Sequence, residues 1–235
     1  MHIDNPIRID YFSDVLCSWA YTAQIRLDEL LHNFGEKIDI HYHFIPVFGC
    51  RKRRIGEGWK DRGGYQGFNE NVRKVCRAFP HVEIHPQIWT RNIPASSASC
   101  HHFLKAVQLV EQNGQISNEQ HTMTKGKSLF EAAIWRFRVA FFKELRNIAE
   151  RDCQLEIAEE IGLPLDAILE QLDSGNAMAG LCCDLDLHEQ YRIEGSPSYV
   201  LNEGRQKLYG NVGYRVIEAN VEELLRSPEG QMSWC

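Results

Sequence analysis

Residues 7–21 read Ile7-Arg8-Ile9-Asp10-Tyr11-Phe12-Ser13-Asp14-Val15-Leu16-Cys17-Ser18-Trp19-Ala20-Tyr21. Their reading decides the fold. The first six alternate and favour β structure, so 7–12 is predicted to be a strand. Over 20–34 the apolar residues Ile25, Leu27, Leu30 and Leu31 fall on a helical repeat, and Gly35 supplies a stop. A second alternating run, 38–45, ends at Pro46. Strand, helix and strand in so short a span make a βαβ unit, whose two strands are expected to be parallel.

Outward from this unit the chain changes character. Residues 51–77 carry nine basic side chains against three acidic ones. Gly56, Gly58, Gly63, Gly64 and Gly67 suggest loops there. From Ser96 the pattern turns helical, with Cys100, Phe103, Leu104 and Val107 on one face. Phe130, Ile134, Phe137, Phe141, Leu145 and Ile148 recur at three and four, which predicts one long buried helix. Shorter helices follow at 155–161, after Pro164, and over 176–191. Two short β runs, 198–201 and 206–209, flank Asn202-Glu203-Gly204-Arg205, a hairpin signal. Residues 214–225 form a last amphipathic helix. The order is β-α-β, a helical block, then β-β-α. The expected fold is an α/β sandwich, with residues 1–48 and 192–228 as one discontinuous domain and 49–191 as a mostly helical insertion. There is no internal repeat and no low-complexity tract.

A chain of 235 residues, 43% hydrophobic and 25% charged, is ordinary for a globular protein of one to two domains. A net charge of -6 argues against a nucleic-acid partner. No apolar run approaches the roughly 18 residues of a membrane span. Residues 1–6 lack the basic and apolar regions of a secretory signal, so a cytoplasmic location is expected if residue 1 is the natural start. In that compartment the eight cysteines, Cys17, Cys50, Cys76, Cys100, Cys153, Cys182, Cys183 and Cys235, are expected to be mostly free thiols.

Cys17 falls at the junction of the first strand and helix. Unpaired N–H groups and the helix dipole favour an anion there, so a depressed thiol pKa is expected. Trp19 would wall it with an apolar face. Far along the chain, Glu194-Gly195-Ser196-Pro197-Ser198-Tyr199 places a proline just before a β run, a candidate cis bond in a tight turn. Ser18 could donate a hydrogen bond to a thiolate or serve as an ordinary cap. Asp14 could orient the turn or accept a proton, although an exposed turn aspartate is the commoner case.

Tyr11 to Tyr21 together with Gly195-Ser196-Pro197-Ser198-Tyr199-Val200-Leu201-Asn202 resemble the DsbA family of thioredoxin-like proteins. The closer resemblance is to its cytoplasmic branch, which includes FrnE-like oxidoreductases, 2-hydroxychromene-2-carboxylate isomerases and kappa-class glutathione transferases. The resemblance implies a thioredoxin-like sandwich with a helical insertion. It puts Cys17 at the nucleophile position and Pro197 at the cis-proline position, with Ser196 presenting its backbone to an extended thiol substrate. Ser18, Trp19 and Asp14 would join Ser196 in holding substrate or glutathione. The family's redox motif is Cys-x-x-Cys, whereas this chain has Cys17-Ser18-Trp19-Ala20. Ala20 supplies no resolving thiol. Three outcomes stay open: an external thiol such as glutathione resolves the mixed disulfide; a distant cysteine does, with adjacent Cys182 and Cys183 as candidates; or redox cycling is lost. The isomerase and kappa branches usually carry serine where Cys17 lies, so neither is matched in full.

The expected function is thiol–disulfide exchange through a single nucleophilic cysteine. The alternatives are a glutathione-dependent isomerase or transferase of small aromatic-type substrates, and a catalytically silent binding module. No tightly bound cofactor is expected, glutathione being the candidate small ligand. Partners are a small thiol or disulfide or a protein thiol, and a homodimer is left open. The basic run Arg51–Arg54 reads as a solvated loop or an anion site, and 144–189, with twelve acidic and two basic residues, as a wet face. His41 and His43 share a strand face, but two ligands do not make a zinc site, and no metal is expected. Trp89, Trp135, Phe137, Phe141 and Phe142 read as core, with an apolar pocket beside Cys17 as the functional alternative.

Overall fold

A computed structural model describes residues 6–116 and 128–226 of the chain. The start of the chain and Cys235, both considered above, lie outside the described residues, as do the last two residues of the expected discontinuous domain. Strand β1 (Ile7–Ser13) leads into helix α1 (Ser18–Phe34), which ends where Gly35 takes a φ of 51°. Strand β2 (Ile38–Phe44) returns parallel to β1, with Tyr11 opposite Tyr42. After a long helical segment, β3 (Ser198–Leu201) pairs antiparallel with β1, and β4 (Gln206–Tyr209) closes the hairpin. The sheet order is β2-β1-β3-β4. This places β1 at the centre, and its exit end, which carries Cys17, beside the entry to β3, which carries Pro197. The last helix is Tyr214–Arg226.

Between β2 and β3 lie α2 (Gly64–Cys76), α3 (Ala98–Gln112), α4 (Leu129–Phe142), α5 (Arg151–Glu160), α6 (Leu165–Asp173) and α7 (Asn176–Gln190). Two sequence expectations fail here. The glycine-rich stretch is mostly helical rather than looped: a π-helical turn (Lys52–Glu57), a 3-10 turn (Lys60–Arg62) and α2 itself. Phe68, Val72 and Cys76 recur at four and are buried, and that stripe outweighs the glycines. Gly67 sits inside α2 because a Cβ there would lie 1.8 Å from the Arg62 carbonyl oxygen. The long helix predicted through Ile148 instead stops at Phe142. Leu145 has a φ of 59°, so the chain turns while Leu145 and Ile148 keep their buried places off the helix. A capping box of Ser128 and Glu131 starts α4.

The sheet is tied to the inserted helices by buried charges as well as by apolar packing. His43 Nε2 lies 2.8 Å from Asp10 Oδ1 and His43 Nδ1 2.9 Å from Asp184 Oδ1, so the ring bridges β1, β2 and α7. Arg8 caps the Asp10 end at 2.7 Å, and Lys105 of α3 caps the Asp184 end at 2.7 Å. A ring that meets a carboxylate at each nitrogen must donate from both, which is the imidazolium form. Thus His43 belongs to the scaffold, while His41, on the same strand, pairs with exposed Asp39.

Candidate active site

Cys17 is the residue that starts α1. Its φ and ψ of -81° and 117° are extended, and its carbonyl accepts the Tyr21 amide at 3.0 Å. The Ser196–Pro197 peptide is cis. The Cys17 thiol donates to the Ser196 carbonyl at 3.2 Å, so the two sequence-distant motifs meet at one sulfur atom. The Ser196 hydroxyl accepts the Asp14 amide at 2.9 Å, a second tie across the same gap.

Cys17 is 6% exposed, yet it lines a cleft of about 410 Å³. Ser18, Trp19 and Ser196 line it too. Aromatic walls come from Phe48, Trp59 and Phe68, and α2 contributes Asn71, Val72 and Val75. Arg54 and Arg62 bring positive charge, against Glu194 as the acidic member of the lining. Arg62 stacks over the Trp59 ring at 4.0 Å and donates to the Gly58 carbonyl at 2.8 Å, which fixes its head group.

The expected depression of the Cys17 pKa is not found. Burial pushes the thiol above its ordinary value, and the contact at Ser196 and the amides of Ala20 and Trp19 offset only part of that; the Asp14 charge adds to the rise. The helix start is present, but a nearly dry sulfur loses more in desolvation than the dipole returns. The resting state is therefore a thiol that donates to a carbonyl.

Asp14 is neither an exposed turn residue nor part of the cleft lining. It is fully buried. Its Oδ1 accepts the Leu16 amide at 2.8 Å, and its Oδ2 accepts the Phe48 amide at 2.8 Å and the Ser97 hydroxyl at 2.7 Å. With those acceptor sites filled from inside, Asp14 positions the turn rather than holding a ligand. His101, buried beside it, accepts the Val15 amide at Nε2 at 3.0 Å, which leaves the neutral ring's proton on Nδ1. Nothing in the sequence pointed to Ser97 or His101 at this turn. Both lie at the start of α3, and only the fold brings them under the Cys17 turn.

Other expectations sort as follows. Arg54 of the basic run reaches the cleft. Arg53 lines an adjoining cavity with Cys50, and Arg51 donates to the Ile93 carbonyl. Trp89, Phe137, Phe141 and Phe142 are fully buried core and Trp135 packs partly buried against it; none of the five lines the cleft. Cys182 and Cys183 are exposed on α7 and are not brought to the cleft. The acidic stretch is not wholly wet, since Asp184 is buried in the ionic chain and Glu144, Glu156 and Glu160 engage Arg136 and Arg146. Among the described residues, no three His, Cys, Asp or Glu side chains gather as a metal site, and no helix is long and apolar enough to cross a membrane.

Comparison with known proteins agrees with this fold. The chain is 12% identical to a candidate protein disulfide isomerase from Nitrosomonas europaea, with 96% and 100% of the two chains covered and a TM-score of 0.73. It is 16% identical to a 2-hydroxychromene-2-carboxylate isomerase, covering 96% and 100%, with a TM-score of 0.63. It is 21% identical to the cytosolic disulfide reductase DsbM from Pseudomonas aeruginosa, covering 93% and 98%, with a TM-score of 0.59. At these identities the likeness shows the fold. A curated relative, the ClpXP adapter protein SpxH of Shouchella clausii (strain KSM-K16), is 20% identical over 225 residues, 94% of this chain and 67% of that protein. The family model of the DSBA-like thioredoxin domain matches residues 8–222, so the chain belongs to the DSBA-like thioredoxin family.

Proposed function

We propose that this protein is a thiol–disulfide oxidoreductase that works in the reducing direction, with Cys17 as the nucleophile and glutathione as the electron source. The observation that carries the reading is the Cys17 thiol at 3.2 Å from the carbonyl that precedes cis-Pro197, on the wall of a cleft. A substrate backbone laid along Gly195-Ser196 would bring its disulfide to this sulfur. The direction follows from acidity. A stabilised thiolate makes its disulfide strongly oxidising, as in the low-pKa members of this fold. Burial at Cys17 withholds that stabilisation and favours the protonated thiol, so a disulfide at Cys17 is the weaker oxidant. Arg54 and Arg62 on the cleft wall suit the carboxylates of glutathione. Free thiols at all seven described cysteines fit a reducing compartment, the cytoplasm.

The cycle balances without a cofactor. Cys17 gives up its proton and attacks a mixed disulfide between substrate and glutathione. The substrate sulfur leaves, takes a proton and departs as a thiol, while glutathione stays on Cys17. A second glutathione attacks this adduct and leaves as oxidised glutathione, and the Cys17 thiol is restored. The test is turnover of a glutathionylated peptide with reduced glutathione. Cys17→Ser is expected to abolish it.

One observation favours a second reading. The cleft sets aromatic walls, Phe48, Trp59 and Phe68, beside two arginines, which also suits a glutathione-dependent isomerase or transferase of an aromatic acid. That reading requires Cys17→Ser to keep activity, and such retention would displace the first.

A further inference from the structure

Resting on the oxidoreductase reading, we infer that Cys76 is the resolving thiol that the Cys17-Ser18-Trp19-Ala20 motif lacks. Cys76 is the last residue of α2, and the segment that follows it packs on the first turns of α1. The Phe79 amide donates to the Cys76 carbonyl at 2.9 Å, and the Phe79 ring meets Trp19 edge to face at 6.3 Å. His81 Nε2 bonds the Thr22 carbonyl at 3.0 Å, and the Tyr21 hydroxyl donates to the Glu83 carbonyl at 3.4 Å. The segment that holds Cys76 is thus pinned to residues 19–22, immediately after the nucleophile. Val72 and Val75 on the same helix line the Cys17 cleft, while Cys76 lines a second cavity of about 210 Å³ with Arg73 and Arg77. Cys76 therefore lies in the wall between the two spaces, 5% exposed and packed in the same core cluster as Cys17. Cys182 and Cys183 have no such placement.

Electrostatics link the two thiols. Burial pushes Cys76 up to about 11, and the Cys17 charge pushes it in the same direction. The step balances. Cys76 loses its proton, its sulfur bonds to Cys17 Sγ, the Cys17–glutathione bond breaks, and the departing glutathione thiolate takes up the proton. Two further glutathione molecules then reduce the Cys17–Cys76 disulfide, giving oxidised glutathione and two thiols. The bond requires the two Cα atoms to lie within about 7 Å of one another.

The test treats the reduced full-length protein with oxidised glutathione, quenches with acid, and reads intact mass and a non-reducing peptide map. Wild type is expected to lose two hydrogens and to yield a Cys17–Cys76 cross-linked peptide, with little adduct. Cys76→Ser and Cys76→Ala are expected to accumulate one glutathione on Cys17, with an adduct lifetime at least about tenfold longer. A Cys182→Ser/Cys183→Ser variant is expected to match wild type. A wild-type adduct as long-lived as that of Cys76→Ser, with no cross-link, overturns the role of Cys76 and leaves the monothiol cycle standing. No adduct and no cross-link at Cys17 in any variant overturns the oxidoreductase reading itself and the present inference with it. The wild-type map needs no variant to fold.

Discussion

The ionisation of Cys17 gives the most direct test of the site, because the fold and the motif pull it in opposite directions. A helix start favours the thiolate, while burial favours the thiol, and burial dominates. A thiol raised above its ordinary value is less ionised at pH 7 than the about 3% of a free thiol near 8.5. Iodoacetamide alkylation, followed at each cysteine by peptide mass from pH 6 to 11, reads this directly. The exposed thiols Cys50, Cys182 and Cys183 act as internal references and are expected to react first. Cys17 is expected to titrate above the ordinary thiol value, and at pH 7 to react far more slowly than at its high-pH plateau. Trp19→Ala opens the cleft wall beside the sulfur to water. Its Cys17 midpoint is expected to fall, and each unit of fall raises the pH 7 thiolate fraction about tenfold. A wild-type midpoint at or below the ordinary thiol value would refute the dominance of burial, and so would a Trp19→Ala profile that does not move downward.

Three further outcomes are expected. Asp14→Ala strands the donors of Leu16, Phe48 and Ser97, and should cost about 3 kcal/mol in urea unfolding at pH 7 while loosening the Cys17 turn enough to raise its alkylation rate; a loss under about 1 kcal/mol would contradict its role as a tie. The ionic chain should give stability a pH window. Burial alone would raise the Asp10 carboxyl, but hydrogen bonds from His43 and Arg8 win and hold it at about 2, below its ordinary 3.8, a difference of about 2 kcal/mol. Burial lowers His43, but the Asp10 and Asp184 bonds win and raise it above 6.5. The Asp10 contribution is complete above about pH 4 and is lost as pH falls toward 2; that of His43 is complete below 6.5 and is lost as pH rises through its raised value. The deficit of His43→Gln, measured by urea unfolding, should therefore be greatest between about pH 4 and 6.5, and a flat deficit across pH 3–9 would contradict the imidazolium assignment. Finally, Arg54→Ala and Arg62→Ala should each raise the KM for glutathione about fivefold with kcat nearly kept, since both lie on the cleft wall away from the sulfur chemistry; an unchanged KM in both would remove them from ligand binding.

The strands were legible because alternation is a local signal: Ile7 to Phe12, Ile38 to Phe44 and the 198–209 hairpin each declare themselves within a few residues. The meeting of Cys17 with the bend before Pro197 was legible through motif resemblance. What escaped was set by tertiary contacts. The stripe of Phe68, Val72 and Cys76 was masked by flanking glycines, and the turn at Leu145 by an unbroken apolar repeat that the chain satisfies while bending. The acidity of Cys17 was misjudged because dipole and solvation oppose one another there, and only burial decides between them. Asp14 looked like a surface turn residue, because its partners at 48 and 97 are nowhere near it in sequence.

That carboxylate has a consequence for how the protein can be altered. Its acceptors clasp the turn after β1, the loop after β2 and the start of α3, while its own amide reaches the residue before the cis-proline. A miniature made by excising the inserted helices would strand a negative charge in apolar surroundings right under the reactive sulfur. The redox corner is thus no portable cassette: it belongs to the entire polypeptide, and grafting it elsewhere would mean carrying the whole insertion along.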